Sequence, residues 1–288
     1  MLLEVRSILV VLDPDHAHSK ALTRAKLIAG VTKARLHLLM CDKKHDHHAL
    51  LSLLSSQLHD DGYANVTHEE GWRDSLHDTI IHVQQAEGCE LVIKEHRPDN
   101  PLKKALLTPS DWKLLRQCPG TVLMVKSERP WTGGKILAAV DVGNQDEDHR
   151  RLHASIIDHG FEIAKLAKGE LHVISAHPSP MLSASDPAYQ LSDTIEKRYR
   201  EACKAFQAEY GISDECLHVA EGPADVLIPH TEKKLDAVVT VIGTVCRTGI
   251  SGALIGNTSE VVLDALEGDV LVLKSEEAIA HLAELARG

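Results

Sequence analysis

Short apolar runs alternate with longer amphipathic stretches along the whole chain, and the alternation is completed twice. In the first half the runs at 8–12 (ILVVL), 36–40 (LHLLM), 91–93 (LVI) and 121–125 (TVLMV) are almost continuously apolar. That is the pattern of strands covered on both faces. A weaker strand is predicted at 66–70, and apolar positions at helical spacing predict helices over 19–29, 49–58 and 76–85. The second half repeats the order. A strand at 135–141 is followed by a helix over 148–167, with Leu152, Ile156, Gly160, Ile163 and Ala167 along one stripe. Then come a strand at 171–174, helices over 192–209 and 224–235, a strand at 237–242 and a final amphipathic helix at 276–285.

The repetition extends to individual residues. Laid above 242–274, the stretch 94–126 registers without a gap: Leu106-Leu107 falls on Leu254-Ile255, and 121–126 (TVLMVK) falls on 269–274 (DVLVLK). In this frame Gly243 and Gly256 meet Glu95 and Thr108, and Asn257 meets Pro109. A Pro- and Gly-bearing stretch at 128–134 breaks any continuing element between the copies. The expectation is therefore an α/β chain of two domains, 1–128 and 129–288. Each would be a flavodoxin/Rossmann-like, five-stranded parallel sheet flanked by helices. With flavodoxin-like winding, the first and fourth strands adjoin across a crevice at their carboxyl ends, which would set Asp141 beside Gly243.

Composition narrows the partners. A formal net charge of −11 argues against nucleic acid and against anionic membranes. No apolar run is long enough to span a bilayer, and the opening MLLEVRSILVVLD lacks the marks of a signal peptide. The six cysteines show no CxxC pair and read as reduced thiols of a cytoplasmic protein. Nineteen histidines, neutral in that count, would reverse the sign of the charge if all were protonated; unperturbed imidazole titrates near a pKa of about 6.5.

The stretch 243–260 (GTVCRTGISGALIGNTSE) carries the chemistry. Glycines let backbone approach a phosphate, and 256–259 opens a helix whose free N–H groups favour an anion. Thr258 and Ser259 add hydroxyls, and Arg247 adds a cation. This stretch resembles the nucleotide loop of the universal stress protein family: a glycine, two residues, a glycine, nine residues, then Gly with Ser or Thr. Gly243 and Gly256 match; Cys246 stands at the middle glycine and Asn257 at the Ser/Thr position. A residue with a Cβ at 246 would distort the loop if that position needs a positive φ.

The resemblance covers essentially the whole chain as a tandem protein. It implies an adenine nucleotide, ATP or AMP/ADP, in the second domain. The site residues it carries over are Asp141, Val173, Gly243, Arg247, Gly256, Asn257, Thr258 and Ser259. Asp141 would contact the nucleoside, and Val173 would lie beside the base. It further implies a regulatory or sensing role in stress response, extending in the tandem members to resistance to DNA damage, with a protein partner or self-association. Slow ATP hydrolysis is the activity it allows; no Ser-His-Asp set, P-loop lysine or carboxylate pair fixes a reaction. A scaffold or apolar-ligand protein that holds no nucleotide is the other reading.

The first copy lacks the loop. Glu95 brings negative charge, Pro98 and Pro101 stiffen the segment, Pro109 has no N–H to offer, and Asp111 would repel a phosphate. Thr108-Pro109 reads instead as a helix cap with proline in the first turn. Two histidine groups, His16 and His18 and then His45, His47 and His48, leave the same edge of the first sheet. With Asp13 or Asp15 they could converge on Zn²⁺, although no spacing among them is diagnostic.

Overall fold

The computed structural model describes residues 4–14, 19–97, 107–144, 146–180, 191–244 and 257–285. The first half runs β1 (Ser7–Leu12), α1 (Lys20–Thr32), β2 (Arg35–Met40), α2 (His48–Asp60), β3 (Val66–Glu70), α3 (Leu76–Ala86), β4 (Leu91–Glu95), α4 (Pro109–Gln117) and β5 (Thr121–Val125). The second runs β6 (Lys135–Ala139), α5 (Glu147–Ala167), β7 (Glu170–His177), α6 (Ser192–Tyr210), β8 (Leu217–Glu221), α7 (Ala224–Leu235), β9 (Val239–Thr244), α8 (Asn257–Ala265), β10 (Asp269–Lys274) and α9 (Glu276–Leu285). Several helices start where a short polar side chain satisfies an orphan N–H. Ser19, Ser75, Thr108 and Asp146 each accept from the backbone N–H three residues on. Strand β8 was not foreseen. It is a short edge strand in which only Leu217 and Val219 are buried, too few apolar positions to register as a run.

The sheet order is β3-β2-β1-β4-β5-β10-β9-β6-β7-β8. Each half thus has its first strand between its second and fourth, and its five strands are mutually parallel. The expectation of two separate five-stranded sheets needs correction, because β5 pairs antiparallel with β10 and fuses the halves into one mixed sheet of ten strands. The reason lies in the two strands themselves. Both are apolar on both faces, and an edge strand of that kind would leave a sticky row of unpaired backbone groups. Pairing the two removes both edges. Leu123 lies opposite Leu271, its own counterpart in the repeat.

A buried carboxylate locks this joint. Asp269 is fully buried at the start of β10. Its Oδ1 accepts the N–H groups of Lys126 and Ser127 at 2.9 and 3.0 Å. Its Oδ2 accepts from Arg24 Nε at 2.7 Å and Trp131 Nε1 at 2.8 Å. The Arg24 guanidinium lies 5.1 Å from the Trp131 ring centre and donates to the Arg129 carbonyl at 2.6 Å. Lys126 crosses the joint to donate to the carbonyls of Leu263 and Leu266, which end α8. Burial pushes its ammonium down to about 8, while carbonyls at a helix carboxyl end favour the charge.

Candidate functional site

Strands β6 and β9 pair from Ile136 to Ala138 and then part at their carboxyl ends. A crevice opens there, at the place where the strand order of this half reverses. It holds a cavity of about 940 Å³, lined entirely by the second half. Ala139 and Asp141 come from the end of β6, Ile242 and Gly243 from β9, and Ile174, Ala176 and His177 from β7. Leu152, His153 and Ile156 of α5 and Val262 of α8 complete much of the wall.

Asp141 is exposed and its Oδ1 accepts the Gly143 N–H at 3.2 Å, which holds the carboxylate at the mouth. The backbone N–H of Asp141 donates to His153 Nε2 at 3.2 Å, so that nitrogen carries no proton. Burial drives His153 down to about 4 against the pull of Asp141. At neutral pH it is therefore an uncharged acceptor in the wall. His177 donates from Nδ1 to the Pro178 carbonyl at 3.1 Å and lies 5.5 Å, ring centre to ring centre, from Tyr199. A Cβ on Gly143 would fall 2.0 Å from the Tyr199 hydroxyl, so glycine is what fits there.

The expected site residues divide into four groups. Asp141 and Gly243 line the cavity together. Val173 is fully buried in the core, and its strand meets the cavity through Ile174, Ala176 and His177. Asn257, Thr258 and Ser259 form the first turn of α8, with nothing described of their side chains. Arg247 and Gly256, like Cys246, lie outside the described residues. Gly243 has a reason the sequence did not disclose: a Cβ there would sit 2.7 Å from Leu152 Cδ2 and 2.8 Å from Ile156 Cδ1. Helix α5 crosses directly over it.

The first half fills the corresponding edge with its own charges. Lys94 Nζ donates to Asp111 Oδ1 at 2.7 Å, and His96 Nδ1 lies 2.8 Å from Asp111 Oδ2. Asp111 is fully buried and also accepts the Thr108 N–H at 3.2 Å, closing a capping box at the start of α4. Burial alone would raise its carboxyl; the hydrogen bond from His96 and the charge of Lys94 outweigh that and hold it well below the usual carboxylate range. Glu95 accepts the Lys20 N–H that opens α1, at 3.2 Å, and Arg97 Nε lies 2.8 Å from Asp13. Sequence reasoning saw Asp111 as a repellent. The lysine inside an otherwise apolar strand and the histidine two residues on were the signal that it is a held anion.

Of the histidine groups, His16, His18 and Asp15 lie outside the described residues. His45 Nδ1 and His47 Nε2 both lie 2.9 Å from Asp42 Oδ2, an acid the sequence reading did not include. These hydrogen bonds hold Asp42 below the carboxylate range. His48 turns to Ser52, and its ring centre is 5.8 Å from that of His68.

Known proteins fit this geometry. The sequence profile of the Universal stress protein family matches residues 4–126 and 134–274. Universal stress protein E of Escherichia coli K12 is 32% identical over 301 residues, 94% of this chain and 95% of that protein. The universal stress protein E homolog of Haemophilus influenzae is 31% identical, covering 94% of this chain and 98% of its own. A solved structure from Pseudomonas aeruginosa UCBPP-PA14 has 66% identity and a TM-score of 0.91, with 100% of this chain and 99% of that chain covered. Among the described residues no helix is long and apolar enough to cross a membrane.

Proposed function

Because the chain belongs to the universal stress protein family, we propose that it binds one adenine nucleotide, ATP or its AMP/ADP relatives, in the second half and uses the occupied state as a stress-response signal. One observation carries this reading. The crevice between β6 and β9 is an open cavity with Asp141 at its mouth, while the first half has a buried carboxylate at the matching helix start. About 940 Å³ is within the range of pockets that enclose a small organic ligand. Its walls are mostly aliphatic, suited to a purine, and Asp141 offers a carboxylate to ribose hydroxyls.

Phosphates would lie toward the first turn of α8, where Asn257, Thr258 and Ser259 supply backbone N–H groups at the positive end of a helix dipole. Gly243, Gly256 and Arg247 belong to the same proposed loop. Val173 acts in this reading as support beneath the cavity floor rather than as a contact to the base. Ligand-dependent change at the loop would be read by a protein partner or a second copy of the chain. By similarity to the E-type relatives, the process served is resistance to DNA-damaging and related stress.

The test is stoichiometry followed by one variant. Equilibrium dialysis with ATP should give one site per chain. Asp141→Ala should weaken binding by about 1–3 kcal/mol in titration calorimetry, the range for a lost charged hydrogen-bond partner. Two equivalent sites, or unchanged affinity with the fold intact, would remove the reading.

A further inference from the structure

At the opposite edge of the sheet from the cavity, the amino ends of β7 and β8 bring together a thiol, an imidazole and a carboxylate. We propose that Cys216, His172 and Glu170 bind a zinc-class divalent cation, with His218 orienting His172. The ligand atoms of the three residues all lie within 4.8 Å of one another. Tetrahedral zinc with bonds of about 2.0–2.3 Å sets its ligand atoms roughly 3.5 Å apart, so closing on an ion needs only side-chain adjustment. Three protein ligands leave a fourth position for water.

The surroundings suit a metal. His172 is 5% exposed, with Nε2 3.0 Å from Glu170 Oε2 and Nδ1 3.1 Å from His218 Nε2. Metal on Nε2 requires the proton on Nδ1, and His218 stands ready to accept it. A second partner of this kind fixes tautomer and ring orientation at metal sites. Burial lowers both imidazoles, which favours the neutral form that ligates a metal. Cys216 is also buried, whereas the Glu170 side chain is 58% exposed and gives a cation access from solvent. Burial and the Glu170 carboxylate raise the thiol. Binding exchanges the thiol proton for the metal and releases it to water. Glu215 adds negative charge nearby, while Lys135, Lys234 and Arg200 oppose the cation.

The first half supplies an internal control. There His37 pairs in register with Thr67, a hydroxyl at the position of Cys216, and groups with Glu69 and Glu87, so those three residues offer oxygen and nitrogen. Thiolate selects zinc-like ions over magnesium and calcium, and it gives a signature that neither this cluster nor Asp42-His45-His47 can produce.

The full chain, reduced and stripped of metal, should be titrated with Co²⁺. One equivalent should produce thiolate-to-cobalt charge-transfer absorption that Zn²⁺ abolishes, and the band should be absent in Cys216→Ser. His218→Gln should weaken the apparent affinity about 10- to 100-fold while keeping the band. Glu170→Gln, at an exposed side chain, should weaken it by about tenfold or more and decides the matter if Cys216→Ser fails to fold. No band in the wild-type protein, a band retained in folded Cys216→Ser, or Glu170→Gln binding as tightly as wild type would overturn the proposal. These residues are separate from the nucleotide cavity, so the two readings fail independently.

Discussion

The two halves share one topology and solve the same local problem in opposite ways. Each has a helix start at the carboxyl edge of its sheet with backbone donors in need of an acceptor. In the first half Asp111 supplies the acceptor from within the chain, ion-paired with Lys94 and in contact with His96. In the second half the corresponding edge opens into a cavity. An internal anion is present at every moment and adds stability; an external one can come and go. The lesson is that two copies of one topology can differ at the same edge, one filled by a carboxylate built into the sequence and one left open as a cavity.

The largest test of this contrast is Asp111→Ala. It leaves the Lys94 ammonium buried without its carboxylate and should destabilise the protein by about 3–5 kcal/mol, read as a shift in urea unfolding. The pH dependence has a definite sign. The folded carboxyl is held below its unfolded value, so its contribution is complete above the unfolded carboxylate pKa of about 3.9 and is lost as pH falls toward the folded one. A variant as stable as wild type would show that Asp111 does not act as the internal ligand.

Next in size is His153 in the open half. Its folded pKa of about 4 lies below the unfolded value of about 6.5. The unfolded chain therefore takes up the proton first, and stability should decline as pH falls from about 6.5 to 4, by up to about 3 kcal/mol. His153→Gln should flatten that part of the unfolding profile; an unaltered slope would detach His153 from it. Smaller again is Gly243→Ala, whose methyl would press on Leu152 and Ile156. A loss of about 1–3 kcal/mol in thermal unfolding is expected, and a neutral effect would show that α5 yields easily. The least effect belongs to Thr108→Val. Removing this cap should cost about 1 kcal/mol of stability and leave nucleotide affinity untouched. Altered affinity would mean that the first half takes part in binding.

Much of this was readable from the chain because apolar runs and caps are local signals. The alternation of strands and helices followed from the continuous apolar runs, and the capped start at Thr108-Pro109 is present as expected. The order of strands within each half rested on an assumed flavodoxin-like winding, and only the structure supplies it. The union of β5 with β10 was not readable. Two strands apolar on both faces announce that their edges must be covered, but not by what. Gly243 was singled out in the sequence as a loop glycine, whereas the crossing helix that leaves no room for a Cβ there belongs to tertiary packing. The cluster at Cys216 escaped notice because its members are spread over 47 positions, and only the pairing of β7 with β8 makes them neighbours.

The pairing of Leu123 with its own counterpart Leu271 has a further consequence. A contact in which one residue meets its equivalent while the flanking pairs are exchanged, Val122 with Val272 and Met124 with Val270, is what a twofold-symmetric pair of identical subunits would make. This chain is in effect such a pair with its two members tethered, and the tether holds each at a high effective concentration for the other. An obligate pair of identical subunits must carry every substitution twice. A tethered one need not, and here one member has a buried carboxylate at the edge where the other has a cavity. Cutting the tether between Arg129 and Gly134 would make the joint bimolecular, and the stability of both halves would then depend on their concentration.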